Sequence, residues 1–201
     1  MITTQQLDLI KEAVTRLKED NPKPLSAVCL GYPDAAYDED REVVFKFLKK
    51  NFNEVTVLDV YQHRGFEHVV DLNEWVPDIA PADFLLDSGT LEHCFNIGRA
   101  FRSAAELVAV GGYLSLTGPL VMQNHGYWSY NPVAIIDGLE QNGFEVLTIR
   151  AVPFKRVFQL KLNDRRDFYP MQEYFQTSLA KKIEDVPWQW PIQQKYKDTT
   201  K

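Results

Sequence analysis

Asp83-Phe84-Leu85-Leu86-Asp87-Ser88-Gly89-Thr90-Leu91-Glu92-His93-Cys94 is the stretch whose reading decides the fold. Phe84 to Leu86 is a short unbroken apolar run, the pattern of a central strand covered on both faces. It stops at Asp87-Ser88-Gly89-Thr90, residues that suit a turn and offer carboxylate, hydroxyl and bare backbone. Asn96 then caps a helix whose apolar positions Ile97, Ala100, Phe101, Ala104 and Val108 share one face. Gly111-Gly112 is expected to close that helix, and Tyr113 to Thr117 reads as the next strand. The polar crest thus stands at the carboxyl end of a strand, the edge at which open α/β sheets bind their ligands.

The same alternation extends outward in both directions. Thr3 to Asp20 reads as an amphipathic helix with a Thr3/Gln6 capping box and a stripe of Leu7, Ile10, Val14 and Leu17. Asn21-Pro22-Lys23-Pro24 ends it. Ala27 to Leu30 is a buried strand leading into Gly31-Tyr32-Pro33-Asp34, and Tyr37 to Lys50 returns to helical spacing. Glu54 to Val60 and His68 to Val70 are two more strands; the seven residues between them are too few for a crossover helix. After Thr117 a long polar and aromatic loop, Gly118 to Tyr130, has the length usually reserved for function. Asn131-Pro132 opens a further helix. Phe144 to Ile149 and Val157 to Leu162 read as a closing antiparallel pair. Beyond Asn163 the composition turns polar, with a helix expected over Met171 to Ile183. Trp188 and Trp190 near the end predict either docking onto the protein's own body or a surface for a partner, including a second copy.

The expected architecture is a three-layer α/β domain spanning 1–201, divided into an N-terminal helix (1–22), an α/β core (25–162) and a C-terminal extension (163–201). A net charge of −6 argues against nucleic acid as the main partner. Cys29 and Cys94 lie in apolar surroundings without metal-ligand spacing and read as buried free thiols. No apolar run approaches the ~18 residues that span a bilayer and no signal peptide opens the chain, so the expectation is a cytoplasmic protein without membrane contact. The histidines and carboxylates show no HExxH-like spacing, and no metal is expected.

Two cofactor classes dominate such sheets. A dinucleotide needs a glycine-rich phosphate turn, and Leu30-Gly31-Tyr32-Pro33-Asp34, with one glycine and a proline lacking an N–H, serves it poorly. From Glu54 to Ile149 the chain resembles the class I S-adenosylmethionine-dependent methyltransferases, closest to a type-11-like subgroup. Val57-Leu58-Asp59, Val70-Asp71-Leu72-Asn73 and Asp87 to Asn96 carry the likeness, with Gly111-Gly112-Tyr113, Pro119, Asn124-His125-Gly126-Tyr127 and Asn131-Pro132 downstream. The resemblance implies a Rossmann-like seven-stranded, mostly parallel sheet whose last strand is antiparallel. It also implies S-adenosyl-L-methionine as cofactor and a small-molecule acceptor, a sugar or other hydroxyl compound. The family's GxGxG loop is reduced here to Gly31. That leaves two expectations open: an active methyltransferase, or a relative that kept the fold as a binding or assembly module.

By position and resemblance, Asp59 would accept the ribose hydroxyls of the cofactor, and Asp71 with the backbone of Leu72 would read adenine. Gly31 and Asp34 follow the first strand, and Asp87, Ser88 and Gly89 crown the central one; all are candidate cofactor contacts. His125 is the candidate catalytic base, because a neutral hydroxyl must lose its proton as it attacks a methyl group and histidine titrates in the right range. His93, Asn124, Tyr127 and Tyr130 are the candidate acceptor contacts.

Overall fold

Helices and strands alternate through the computed structural model, which describes residues 2, 4–21, 23, 25–35, 40–74, 79–122, 125–153 and 173–199. In chain order they are α1 (Thr4–Asp20), β1 (Ser26–Leu30), α2 (Val43–Asn51), β2 (Glu54–Asp59), β3 (His68–Val69), β4 (Ala82–Ser88), α3 (Ile97–Glu106), β5 (Val108–Val121), α4 (Pro132–Glu140), β6 (Phe144–Pro153) and β7 (Tyr174–Lys182). The strands form one seven-stranded sheet in the order β3-β2-β1-β4-β5-β7-β6. β1 to β5 pair in parallel, whereas β7 runs antiparallel to both β5 and β6. The chain winds outward from β1 to β3 and then returns to β4. The crevice between β1 and β4 is therefore the topological switch point, where such sheets take their ligands.

β4 is buried along its whole length. Its alternate residues enter different layers, as a two-residue period demands. Phe84 and Leu86 join Ile10, Val14 and Leu17 of α1 and Val44 and Leu48 of α2 on one face. Leu85 lies on the other, with Ala100 and Ala104 of α3 and Ile135 and Leu139 of α4. Each of the buried Val, Leu, Ile and Phe side chains among them contributes roughly 1.5–3 kcal/mol by leaving water. The expected caps are in place: the side chain of Asn96 accepts from the Arg99 N–H, and that of Asn131 from the Val133 N–H.

Three expectations are corrected. Gly111-Gly112 does not close α3, which ends at Glu106, but forms an irregularity inside β5. Ala82 pairs with Val108 while Phe84 pairs with Tyr113, so β5 holds three more residues than β4 over that step. Gly111 takes up the excess at φ +84°, and a Cβ on Gly112 would stand 2.8 Å from the Asp83 carbonyl oxygen. Second, within the segment read as a helix over Met171 to Ile183, Tyr174–Lys182 is β7, a strand flanked on both sides and buried on both faces. Glutamine, leucine, alanine and lysine favour helix locally, but the slot between β5 and β6 decides. The sheet therefore extends into the segment read as a C-terminal extension, and Val157 to Leu162 lies outside the described residues. Third, α2 begins at Val43, residues 40–42 before it being turn and bend, and Tyr37 lies outside the described residues. Both cysteines are free and buried, and burial pushes their thiols up, Cys29 to about 12 and Cys94 to about 11. No helix among the described residues is long and apolar enough to cross a membrane.

The tail docks on the molecule itself. Trp188 meets Phe101 of α3 edge-on with ring centroids 6.2 Å apart. The side chain of Asn142 accepts from the Gln189 N–H at 2.7 Å and donates to the Gln189 carbonyl at 3.0 Å. Gln141 makes the same reciprocal pair with Ile192. Trp188→Ala should therefore lower unfolding stability by about 2 kcal/mol, part of the usual cost of deleting a buried aromatic ring. An unchanged urea midpoint would show that the tail contributes nothing to the fold.

Candidate active site

All the strand ends that carry candidate residues open on one edge of the sheet. β4 ends in Asp87-Ser88, and Gly89 turns the chain at φ +99° into a short 3₁₀ turn, Leu91–His93. The Asp87 carboxylate is fully buried. Its Oδ1 accepts from the Thr90 N–H at 2.9 Å and its Oδ2 from the Tyr130 hydroxyl at 3.0 Å. The same hydroxyl lies 3.4 Å from Oε2 of Glu92, whose side chain is also fully enclosed. One phenolic proton thus serves two carboxylates. Burial, then the Glu92 charge, pushes Asp87 up to about 7. Burial and both carboxylates hold the Tyr130 phenol well above its ordinary value, so it remains a donor.

Tyr130 reaches this position because Gly118 makes room. A Cβ at Gly118 would collide with the Tyr130 ring, and Gly118 pairs in register with Gln176 of β7. Gln176 is itself buried, and neither its amide oxygen nor its nitrogen has a partner among the described residues. The loop that carries Tyr130 is stitched to the 3₁₀ turn: the Tyr127 N–H donates to the Glu92 carbonyl at 2.8 Å, and Trp128 Nε1 to the carbonyls of Cys94 and Phe95. This places His125 above Glu92, with Nε2 3.4 Å from Oε1 of Glu92 and its ring against His93 and Phe175. His125 is 38% exposed and His93 54%. Phe95, Tyr127 and Trp128 form an exposed aromatic rim beside them.

The remaining candidates lie across the switch point. Asp59 at the end of β2 is half-buried, and among the described residues its Oδ1 meets a long contact from the Tyr61 N–H at 3.4 Å. Asp71 is exposed and accepts from the backbone and side chain of Asn73; Leu72 is buried in the core. Gly31 adopts φ +68°, which only glycine takes without strain, and its N–H donates to the Leu58 carbonyl. The Thr90 hydroxyl donates to the Leu30 carbonyl at 2.7 Å and fills the space a Cβ on Gly31 would need. Asp34 faces Arg41 at 3.7 Å and Arg64 at 3.6 Å, and Arg64 lies 3.5 Å over the ring of Tyr32.

The sequence-predicted residues thus divide into two groups. Asp59, Asp71, Leu72 and Gly31 line the β1–β3 side, and His93, His125, Tyr127 and Tyr130 the β4–β7 side. Asp87 is covered by Tyr130 and Thr90, and Tyr130, a candidate acceptor contact by sequence, is buried and bridges Asp87 and Glu92. Ser88 is buried, and Asn124 lies outside the described residues. In the sequence, Glu92 and His93 together could face the cleft or shape the start of the following helix; the docking of a loop from beyond β5 makes Glu92 the centre of the cluster.

No protein-family model matches the chain, and no curated protein matches it by sequence. Solved structures are similar over most of it. The 1,6-didemethyltoxoflavin-N1-methyltransferase of Burkholderia thailandensis, solved with 1,6-didemethyltoxoflavin and S-adenosylhomocysteine bound, covers 87% of this chain and 78% of its own at 15% identity, TM-score 0.57. The N-methyltransferase NodS of Bradyrhizobium japonicum covers 90% of this chain and 98% of its own at 11% identity, TM-score 0.56. The fold is that of the class I S-adenosylmethionine-dependent methyltransferases. The [4+2]-cyclase SpnF is similar as well, over 85% of this chain and 80% of its own at 15% identity, TM-score 0.55. A methyltransferase fold with a cyclase among its likenesses does not fix the reaction; side chains must.

Proposed function

We propose that this protein binds S-adenosylmethionine across the ends of β1, β2 and β3 and promotes methyl transfer to a small acceptor held beside His125. The observation that carries the reading is Asp59. A half-buried carboxylate with one long backbone contact among the described residues stands at the end of the strand next to β1, where two hydroxyls of an adenosine group would satisfy it. Asp71 and the backbone at Leu72 stand next along the same edge, within reach of an adenine ring. The turn at Gly31 suits the aliphatic part of the cofactor, and the Arg41 and Arg64 guanidiniums near Asp34 suit its carboxylate. These residues fit the group, whose chemistry when bound is an electrophilic methyl on a sulfonium. The chain's own part is to orient the acceptor and take its proton. His125, backed by the Glu92 carboxylate at 3.4 Å, has the composition of a base with an orienting partner. The aromatic rim of Phe95, Tyr127 and Trp128 supports an acceptor with a flat or apolar face.

Asp59→Ala should weaken S-adenosylhomocysteine binding by roughly 10- to 100-fold, the loss of charge-assisted hydrogen bonds worth about 1.5–3 kcal/mol. Calorimetric titration of the folded mutant checks it; unchanged affinity would remove Asp59 from the cofactor site. A second reading, a binding or assembly module without chemistry, is favoured by Thr90. Its hydroxyl ties the crest of β4 to that of β1 and narrows the switch point. Absence of both heat and thermal shift with S-adenosylhomocysteine would select this second reading.

A further inference from the structure

Glu92, His93 and His125 bring one ligand atom each within 4.8 Å of one another, and we propose that they bind a divalent transition-metal ion of the zinc class. The first support is an orphaned acceptor. Glu92 is fully buried, yet its Oε1 has no hydrogen-bond partner among the described residues. It faces His125 Nε2 at 3.4 Å and His93 Nε2 at 3.9 Å without closing a hydrogen bond to either. A buried unsatisfied oxygen destabilises the fold, the more so when it is charged. A cation offsets that cost.

The second support is spacing. Two ligands each ~2.1 Å from a tetrahedral ion lie about 3.4 Å apart. The Glu92–His125 distance matches this already, and His93, on an exposed side chain, needs only a small rotation. The donor set is the third. Two imidazoles and one carboxylate suit zinc, cobalt or nickel, whereas magnesium and calcium prefer all-oxygen shells. Behind the cluster, the Tyr130 hydroxyl lies 3.4 Å from the other Glu92 oxygen, an outer-shell contact of the kind that orients a ligating carboxylate. The two histidines are partly exposed, so an ion can enter. Three protein ligands leave a four-coordinate ion one open position. The acceptor oxygen of the proposed reaction would bind there, a role that rests on the methyl-transfer reading; the ion site itself does not. With the ion in place, His125 would serve as a ligand, and the bound acceptor hydroxyl, made more acidic by the ion, would release its proton to solvent instead of to His125.

The test uses the full chain stripped of metal, titrated with Zn²⁺ by calorimetry and with Co²⁺ by visible absorption. S-Adenosylhomocysteine binding is measured separately on the same sample, so that loss of one reading leaves the other standing. The expected result is one ion per chain and cobalt d–d bands as intense as those of four- or five-coordinate sites. His93→Ala and His125→Ala should each weaken Zn²⁺ binding by at least about 10-fold, since even outer-shell supports are worth 10- to 100-fold. Glu92→Gln, which keeps the side chain's shape beside Tyr130, should do the same without loss of fold. No binding, or binding unchanged in the double histidine variant, would overturn the proposal. The second outcome would assign the ion to exposed groups such as His63 and His68.

Discussion

Replacing His125 by alanine is expected to lower turnover by about 10²–10⁴-fold, the usual worth of a positioned general base, while S-adenosylhomocysteine affinity stays essentially unchanged. The two halves of that expectation have different origins. The rate falls because an acceptor hydroxyl cannot attack a methyl carbon and keep its proton, and His125 is the partly exposed imidazole 3.4 Å from the buried Glu92 carboxylate. Cofactor affinity holds because His125 packs against Phe175 of β7, whereas Asp59 and Asp71 lie beyond β1 on the other side of the switch point. Turnover and affinity must be measured on the same preparation. Full activity, or a parallel loss of cofactor binding, would remove His125 from the acceptor side. A chelator separates its two possible parts. As a proton acceptor alone, His125 leaves wild-type turnover indifferent to chelation; as a metal ligand, it makes chelation as costly as the mutation.

The layers of this fold were legible because they rest on local signals. The apolar run Phe84 to Leu86, the cap residues Asn96 and Asn131 and the short β2–β3 connection each announce themselves within a few residues, and each stands where expected. β7 was misread for the opposite reason. Its residues have helical preference, and its strand conformation comes from being enclosed by β5 and β6. The site divides the same way. Asp59 and Asp71 follow from strand ends, so their edge of the sheet could be named. Glu92, by contrast, draws its importance from His125 and Tyr130, which arrive on a loop from beyond the next strand. Adjacent Glu92 and His93 carry no spacing signature, and a buried bridge such as Asp87–Tyr130–Glu92 looks, in sequence, like three unrelated polar residues.

Asp87→Asn is expected to make the protein more stable than wild type at pH 8 and to flatten the fall in its stability between about pH 4 and pH 7, the range between the unfolded carboxylate value and the folded one. The sign follows from proton counting. Burial and the Glu92 charge raise Asp87 from 3.8 to about 7, so the folded state holds a proton that the unfolded state has released. Stability therefore drops as pH climbs through that interval and levels off above it, by an amount on the order of a few kcal/mol. Asparagine removes the titration without emptying the site. Its carbonyl oxygen can still accept from the Thr90 N–H, and its NH₂ can donate to the Tyr130 oxygen. The phenolic proton is then free for Oε2 of Glu92, 3.4 Å away. Asp20, Asp40 and Glu67 are shifted the other way by their partners and favour the fold at higher pH. They are common to both proteins and cancel in the difference. Asp87→Ala is the control. It leaves the Thr90 N–H buried without an acceptor and should destabilise the protein at every pH. Urea unfolding across the pH range, with chelator present so that Glu92 carries no ion, gives the difference curve directly. Parallel curves for wild type and Asp87→Asn would mean that Asp87 is ionised in the folded protein and that the single phenolic proton of Tyr130 suffices to stabilise both carboxylates.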